Sequence, residues 1–146
     1  MNDQTIENEI QAKGKTAARI TPADIENAIA EEHYFTPAQA TSRLVVAGRA
    51  SLPAGIKQQP HQSLSLLTFC VLVLRNGFTV TGESACASPE NFDAEIGRKI
   101  ARANAVQKIW PLMGYELRTE LARPRLTEAD AAADLAGKPR PDHPSA

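Results

Sequence analysis

LSLLTFCVLVLRNGFTVTGESACASPENFDAEIGRKIARANAVQKIWPLMGYELRTELAR, residues 64–123, is the stretch whose reading decides the fold. It reads as a β-hairpin that runs directly into a helix. Asn76-Gly77 lies between two apolar, β-branched runs, and Asn-Gly tolerates the positive φ angles of a two-residue type I′ turn. That turn pairs Arg75 with Phe78, which sets Cys70 opposite Glu83 and Cys86 opposite Leu67. The following helix is expected over 89–110. Ser88 supplies a cap, Pro89 suits the first helical position and Glu90 complements the positive end of the dipole. Phe92, Ile96, Ile100 and Ala103 form the apolar stripe expected to lie on the sheet. Gly97, Ala101 and Ala105 form a second, small-residue stripe, a spacing that lets another backbone approach closely, and they are the expected oligomer interface. Pro111 and Gly114 are expected to end the helix.

The hairpin's first strand is apolar on both sides, whereas its second alternates. A strand buried on both faces needs cover from two directions, and one helix provides only one. Working outward, Thr21-Pro22-Ala23-Asp24 has the spacing of a capping box and predicts a short helix over 22–34. Residues 36–63 read as a connection broken by Gly48, Pro53, Gly55 and Pro60, with Leu44-Val45-Val46 as a candidate short strand. Residues 1–20 lack apolar periodicity and read as disordered. The segment 124–146 holds four of the ten prolines and reads as a disordered tail. The expectation is one α+β domain over 21–123: a small antiparallel sheet centred on a 64–87 hairpin, packed on the 89–110 helix and completed by oligomerisation.

Composition narrows the function. The net charge is −1, which lacks the basic footprint of a nucleic-acid binder. The longest apolar run, around Leu66–Leu74, is too short to cross a bilayer, and the polar N-terminus is no signal peptide. Two cysteines make no disulfide framework; with the two-residue turn they point to opposite sheet faces, and reduced thiols in the cytoplasm of a bacterial host are expected. His33, His61 and His143 have no ligand spacing, so neither metal nor cofactor is expected. Ser84 has no glycine two residues on and is no nucleophile elbow. Nothing fixes Glu83 and Asp93 as a catalytic pair, and the chain reads as a non-enzyme.

One set of side chains suggests a ligand. Arg98 and Arg102 stand one helical turn apart, with Lys99 and Lys108 nearby and Arg118 and Arg123 downstream. The plain reading is a solvated face supported by Glu95 and Lys99. The functional reading is a phosphate site: guanidinium forks suit phosphate oxygens, Phe92 or Tyr115 can stack on a base, and Asn91 or Asn104 can bond a ribose or base edge.

Residues 64–123 also resemble a family of small phage and prophage proteins. The carrying motifs are Leu67-Thr68-Phe69-Cys70, Asn76-Gly77-Phe78, Thr81-Gly82-Glu83-Ser84, Asn91-Phe92-Asp93-Ala94-Glu95-Ile96-Gly97, and Ile109-Trp110 followed by Gly114-Tyr115. The family looks similar to the Thoeris anti-defence sponges, phage proteins that sequester cyclic ADP-ribose-type signals uncleaved, some of which also take up cyclic oligonucleotides. The resemblance implies a non-catalytic homo-oligomer that binds a signal nucleotide at subunit contacts. Arg98 and Arg102 would then hold phosphates, Phe92 a base, and Asn91 or Asn104 a ribose, with Arg123 closing the site. The alternative expectation is a protein-interaction module that inhibits or adapts a host protein.

Overall fold

The computed structural model describes residues 2–46 and 61–141, with the side chains of 42–46 left aside. Three antiparallel strands, β1 (Ile29–Phe35), β2 (Leu67–Leu74) and β3 (Thr79–Ala85), form one sheet in the order β1-β2-β3. A long helix, α4 (Ala94–Ala122), packs across β2 and β3. Around this α+β unit lie α1 (Asp3–Ala12), α2 (Pro22–Ala28), α3 (Pro37–Val46) and α5 (Glu128–Leu135).

The hairpin forms, but with a three-residue loop. The Gly77 amide donates to Leu74 O and the Leu74 amide to Phe78 O, each at 2.8 Å. Within this loop only Gly77, at φ +85°, is left-handed, and no described non-glycine residue has a positive φ. A type I′ turn needs positive φ at both central residues, so Asn76 rules it out; this is a type I turn closed by a left-handed glycine. The register therefore moves by one residue. Cys70 faces Gly82 and Leu67 faces Ala85, in place of the expected Glu83 and Cys86.

A one-residue slip turns every side chain of one strand to the other face. Cys70, Leu72, Leu74 and Val80 now share the buried face with Gly82, while Leu67, Phe69, Val71 and Val73 share the opposite, half-buried face with Thr79, Thr81 and Glu83. Both cysteines lie on the helix side rather than on opposite faces. Four residues of strand separate their levels, about 13 Å, too far for a disulfide.

The stripe of α4 that meets the sheet is the small-residue one, not the apolar one. Gly97, Ala101 and Ala105 face the chain's own sheet and are buried, and Ile96 and Ile100 point outward at 56% and 46% exposure. The cause is close approach. A Cβ on Gly82 would stand 2.1 Å from Ala101 O and 2.3 Å from Ala105 N, and one on Gly97 would stand 2.9 Å from Thr68 Oγ1. The small-residue stripe is thus consumed inside the chain, and the oligomer interface expected there is corrected. Val106 and Ile109 continue the seam over Leu72 and Leu74, with Ile25 from α2 closing the core.

Other boundaries also differ. Ser88 makes no side-chain cap, and Pro89–Asn91 is a single 3-10 turn. Asp93 caps α4 instead, accepting from Glu95 N at 2.9 Å and Ile96 N at 3.0 Å. The helix continues through Pro111 to Ala122. A mid-helix proline costs about 3 kcal/mol, a cost set here against the packing of Ile109, Trp110 and Met113 on the core. The Thr21/Asp24 capping box forms as read, but α2 ends at Ala28 and the rest of 22–34 is strand β1, held by the ladder to β2. Leu44-Val45-Val46 ends a helix, not a strand, and the glycines and prolines expected to break the connection lie outside the described residues. Helices also stand where disorder was expected. α1 is capped by Asn2 and clasped by Arg19, which forks onto Glu7 at 2.5 and 2.6 Å. α5 has its own Thr127/Asp130 capping box.

Candidate functional site

The two flanks of α4 carry its polar side chains to different places. Successive residues turn by about 100°, so Arg102 and Asn104 leave the helix about 160° apart. On the β3 flank, Asn104 Nδ2 donates to Glu83 O at 2.8 Å and Lys108 Nζ to Thr81 O at 2.5 Å. Both acceptors belong to residues whose backbone groups point away from β2. These two side chains therefore satisfy the outer edge of β3.

On the β1 flank, Arg102 sits between two acids. Its Nε donates to Glu32 at 2.8 Å, and its two terminal nitrogens donate to Glu26 at 3.1 and 2.7 Å. Tyr34 donates from its hydroxyl to the other Glu32 oxygen at 2.9 Å. The fork lowers the pKa of Glu32, chiefly through the hydrogen bond from Arg102, and the same two carboxylates raise that of Arg102. Burial raises Tyr34, and burial also raises Cys70 beneath it, so that thiol is held protonated and inert. Arg102 is thus a structural clamp joining α2, β1 and α4.

Beside this clamp lies a groove of about 530 Å³ between α1, α2 and α4. Its floor is Ile25 and Val106. Its walls carry Lys99, Gln107 and Trp110 from α4 and Asn2, Asp3 and Gln4 from the start of α1. Trp110 is half-buried and donates from its indole N–H to Asp3 at 3.2 Å. Lys99 makes only an exposed i,i+4 pair with Glu95, at 2.7 Å, an arrangement of small energetic weight that leaves the ammonium free to turn.

A second, smaller cleft of about 130 Å³ opens where α4 begins. Asn91 and Phe92 line it, with Thr68 and Ser84 from the strands and the capping carboxylate of Asp93. Cys86 also lines it, its thiol donating to Ser88 O at 3.1 Å.

The six side chains expected to hold a ligand therefore do not converge within the chain. Asn91 and Phe92 lie at the small cleft, Arg102 at the groove, and Asn104 on the β3 edge. Arg98 is exposed, its Nε donating back to Ala94 O at 3.2 Å. Arg123 caps the far end of α4, about 30 Å along the helix from Arg102. Gln107 and Trp110 were missed, although their spacing from Arg102 and Ala103 puts them on one face. Glu26 and Glu32 had no local signal, because only the fold brings them to Arg102.

His33 pairs with Glu31 at 2.8 Å, and His61 accepts from Ser63 N at 3.1 Å. His143 lies outside the described residues. Among the described residues no group of three or more His, Cys, Asp and Glu side chains could hold a metal ion, and no helix is long and apolar enough to cross a membrane.

No curated protein and no solved structure matches the chain. A family model does, over residues 20–121, from the residue before the α2 cap almost to the end of α4. The match takes in the whole sheet, the Arg102 clamp and the α2 and α4 walls of the groove. The chain belongs to the phage protein (N4 Gp49/phage Sf6 gene 66) family.

Proposed function

We propose that this phage-family protein acts by binding rather than by turnover, sequestering a small nucleotide-type immune signal of its bacterial host in the groove between α1, α2 and α4. The observation that carries the reading is the groove itself. Its volume of about 530 Å³ falls in the range of small-molecule sites. It sets an indole, amide side chains from Gln107, Gln4 and Asn2, and the loosely held Lys99 ammonium around one space. Trp110 offers a face for a base, Lys99 a cation for a phosphate, and the amides donors and acceptors for ribose. Arg102 serves by fixing Glu26 and the groove wall. The likeness of the sequence motifs to signal sponges points to cyclic ADP-ribose-type or cyclic oligonucleotide ligands, and a sponge depends on slow release.

Calorimetry with cyclic ADP-ribose isomers and with cyclic di- and trinucleotides tests this, read together with the fluorescence of Trp110, the single tryptophan. The expected result is binding that changes the indole emission, with ligand recovered intact by chromatography. Trp110→Leu and Lys99→Ala are each expected to weaken it by about tenfold or more. No heat with any of these ligands, or recovery of a cleaved product, refutes the reading.

The outward-facing Ile96 and Ile100 favour a second reading, a module that binds a host protein through apolar contacts. Stoichiometric recovery of one host protein, lost in Ile96→Glu/Ile100→Glu, would favour it over sequestration.

A further inference from the structure

The sheet has two outer edges, and among the described residues only one of them is closed. In β3 the outward carbonyls of Thr81 and Glu83 accept from Lys108 and Asn104 of α4. In β1 the alternation of the ladder, fixed by Arg75 N donating to Ala28 O at 2.9 Å and by the pairs Glu31↔Val73, His33↔Val71 and Phe35↔Phe69, turns the backbone groups of Glu32 and Tyr34 outward. No described residue bonds to them. An edge left with bare N–H and C=O groups is a template for another strand.

We propose that β1 pairs with β1 of a second copy, antiparallel about a two-fold axis at His33, to make one six-stranded sheet. The pattern of outward groups fits its own inverse. A two-fold at His33 sets Glu32 against the partner copy's Tyr34 and Tyr34 against its Glu32, so the open groups meet as two hydrogen-bonded pairs. These are a carboxylate and a phenol that already bond to each other within the strand at 2.9 Å. Glu31 falls against Phe35, and no carboxylate faces a carboxylate. Shifting the axis to Glu32 would set two glutamates opposite each other, an unfavourable cross-strand pair. The two-fold stands perpendicular to the sheet, so both copies keep α4 on one side and join their half-buried apolar faces on the other.

At the axis the two His33 residues form a non-hydrogen-bonded pair with Cα atoms about 4.5 Å apart, within the reach of a disulfide. The two Glu31 residues would be about 14 Å apart, beyond it. The experiment is oxidation of the purified full chain as His33→Cys and, separately, as Glu31→Cys, beside sedimentation of the unmodified protein from micromolar to sub-millimolar concentration. Both positions are exposed, and the unmodified chain controls for Cys70 and Cys86. The expected results are a covalent dimer from His33→Cys and none from Glu31→Cys. The unmodified protein should sediment as a dimer, and the dimer should weaken by about tenfold or more in His33→Asp, which sets like charges across the axis. A monomer at every concentration, cross-linking at 31 as readily as at 33, or a His33→Asp dimer of unchanged strength would each overturn the proposal.

Discussion

Replacing Gly82 with alanine should be the most damaging single-methyl change in this protein. The added Cβ would stand 2.1 Å from Ala101 O and 2.3 Å from Ala105 N, and ordinary contact begins at 3.4 Å. Both atoms are helix backbone, so no rotamer relieves the overlap, and α4 must withdraw from β3 by about 1.3 Å at that point. Ala101, Ala105 and Ile109 are fully buried along the same seam, so withdrawal opens a gap beneath all three. Overpacking costs about 1–3 kcal/mol where side chains can yield. Here they cannot, and the lost seam contacts add to it, giving an expected loss of about 3–4 kcal/mol. That is a large fraction of the stability of a small domain. Equilibrium urea unfolding measures it, with Gly97→Ala and Gly114→Ala as graded comparisons. At Gly97 the clash is with the Thr68 hydroxyl at 2.9 Å, and the gain in helix propensity offsets part of the cost. At Gly114 nothing lies within 4 Å, and alanine should stabilise by up to about 1 kcal/mol. A Gly82→Ala midpoint within error of the parent, or Gly114→Ala as the worst of the three, would refute the close-packed seam.

Arg102→Met should cost about 1–2 kcal/mol in the same assay, because it leaves Glu26 and Glu32 side by side without their shared cation; Glu32→Gln in that background should recover part of it. Asp93→Ala should cost about 1 kcal/mol by removing the α4 cap, and amide exchange should rise at Glu95 and Ile96 before the rest of the helix. The hydrogen bonds from Arg19 lower the pKa of Glu7 from 4.5 to about 2. A depressed carboxylate contributes its full stability above its unfolded value and loses it as pH falls through the folded one. The α1 clasp should therefore hold above about pH 4.5 and release toward pH 2, seen as a shift in Trp110 emission as Asp3 leaves it. Arg19→Gln should move that release to higher pH, and an Arg19→Gln curve that overlays the parent would count against the clasp.

The elements that announced themselves in the sequence were those with local causes. Thr21 and Asp24 close a capping box within four residues, and Asn76-Gly77 marks a turn whatever its length. The register stayed hidden because the choice between two and three loop residues rests on whether Asn76 takes a positive φ, and asparagine accepts either sign. The strand faces that followed from the register then inverted together, and the apolar periodicity of α4 separately pointed to the wrong stripe for the sheet. Gly82 held the signal that would have corrected it: a glycine in mid-strand marks a close backbone approach, and the only small stripe that suits it is Gly97, Ala101 and Ala105. β1 was hidden for another reason. Its Glu31-Glu32-His33 run has little apolar alternation, and it is a strand because β2 supplies the partner. The groove depends on those same long-range placements, which is why Arg102 was legible as a cation but not as the clamp between Glu26 and Glu32.

The β2–β3 register orders all of this, and nuclear Overhauser contacts between backbone Hα protons read it directly. Non-hydrogen-bonded partners bring their Hα atoms close, so strong cross-peaks are expected for Val71 with Thr81 and Phe69 with Glu83. Cross-peaks joining Leu72 to Thr81 and Cys70 to Glu83 instead would mean a two-residue loop. They would place the wrong strand face under α4 and contradict the account.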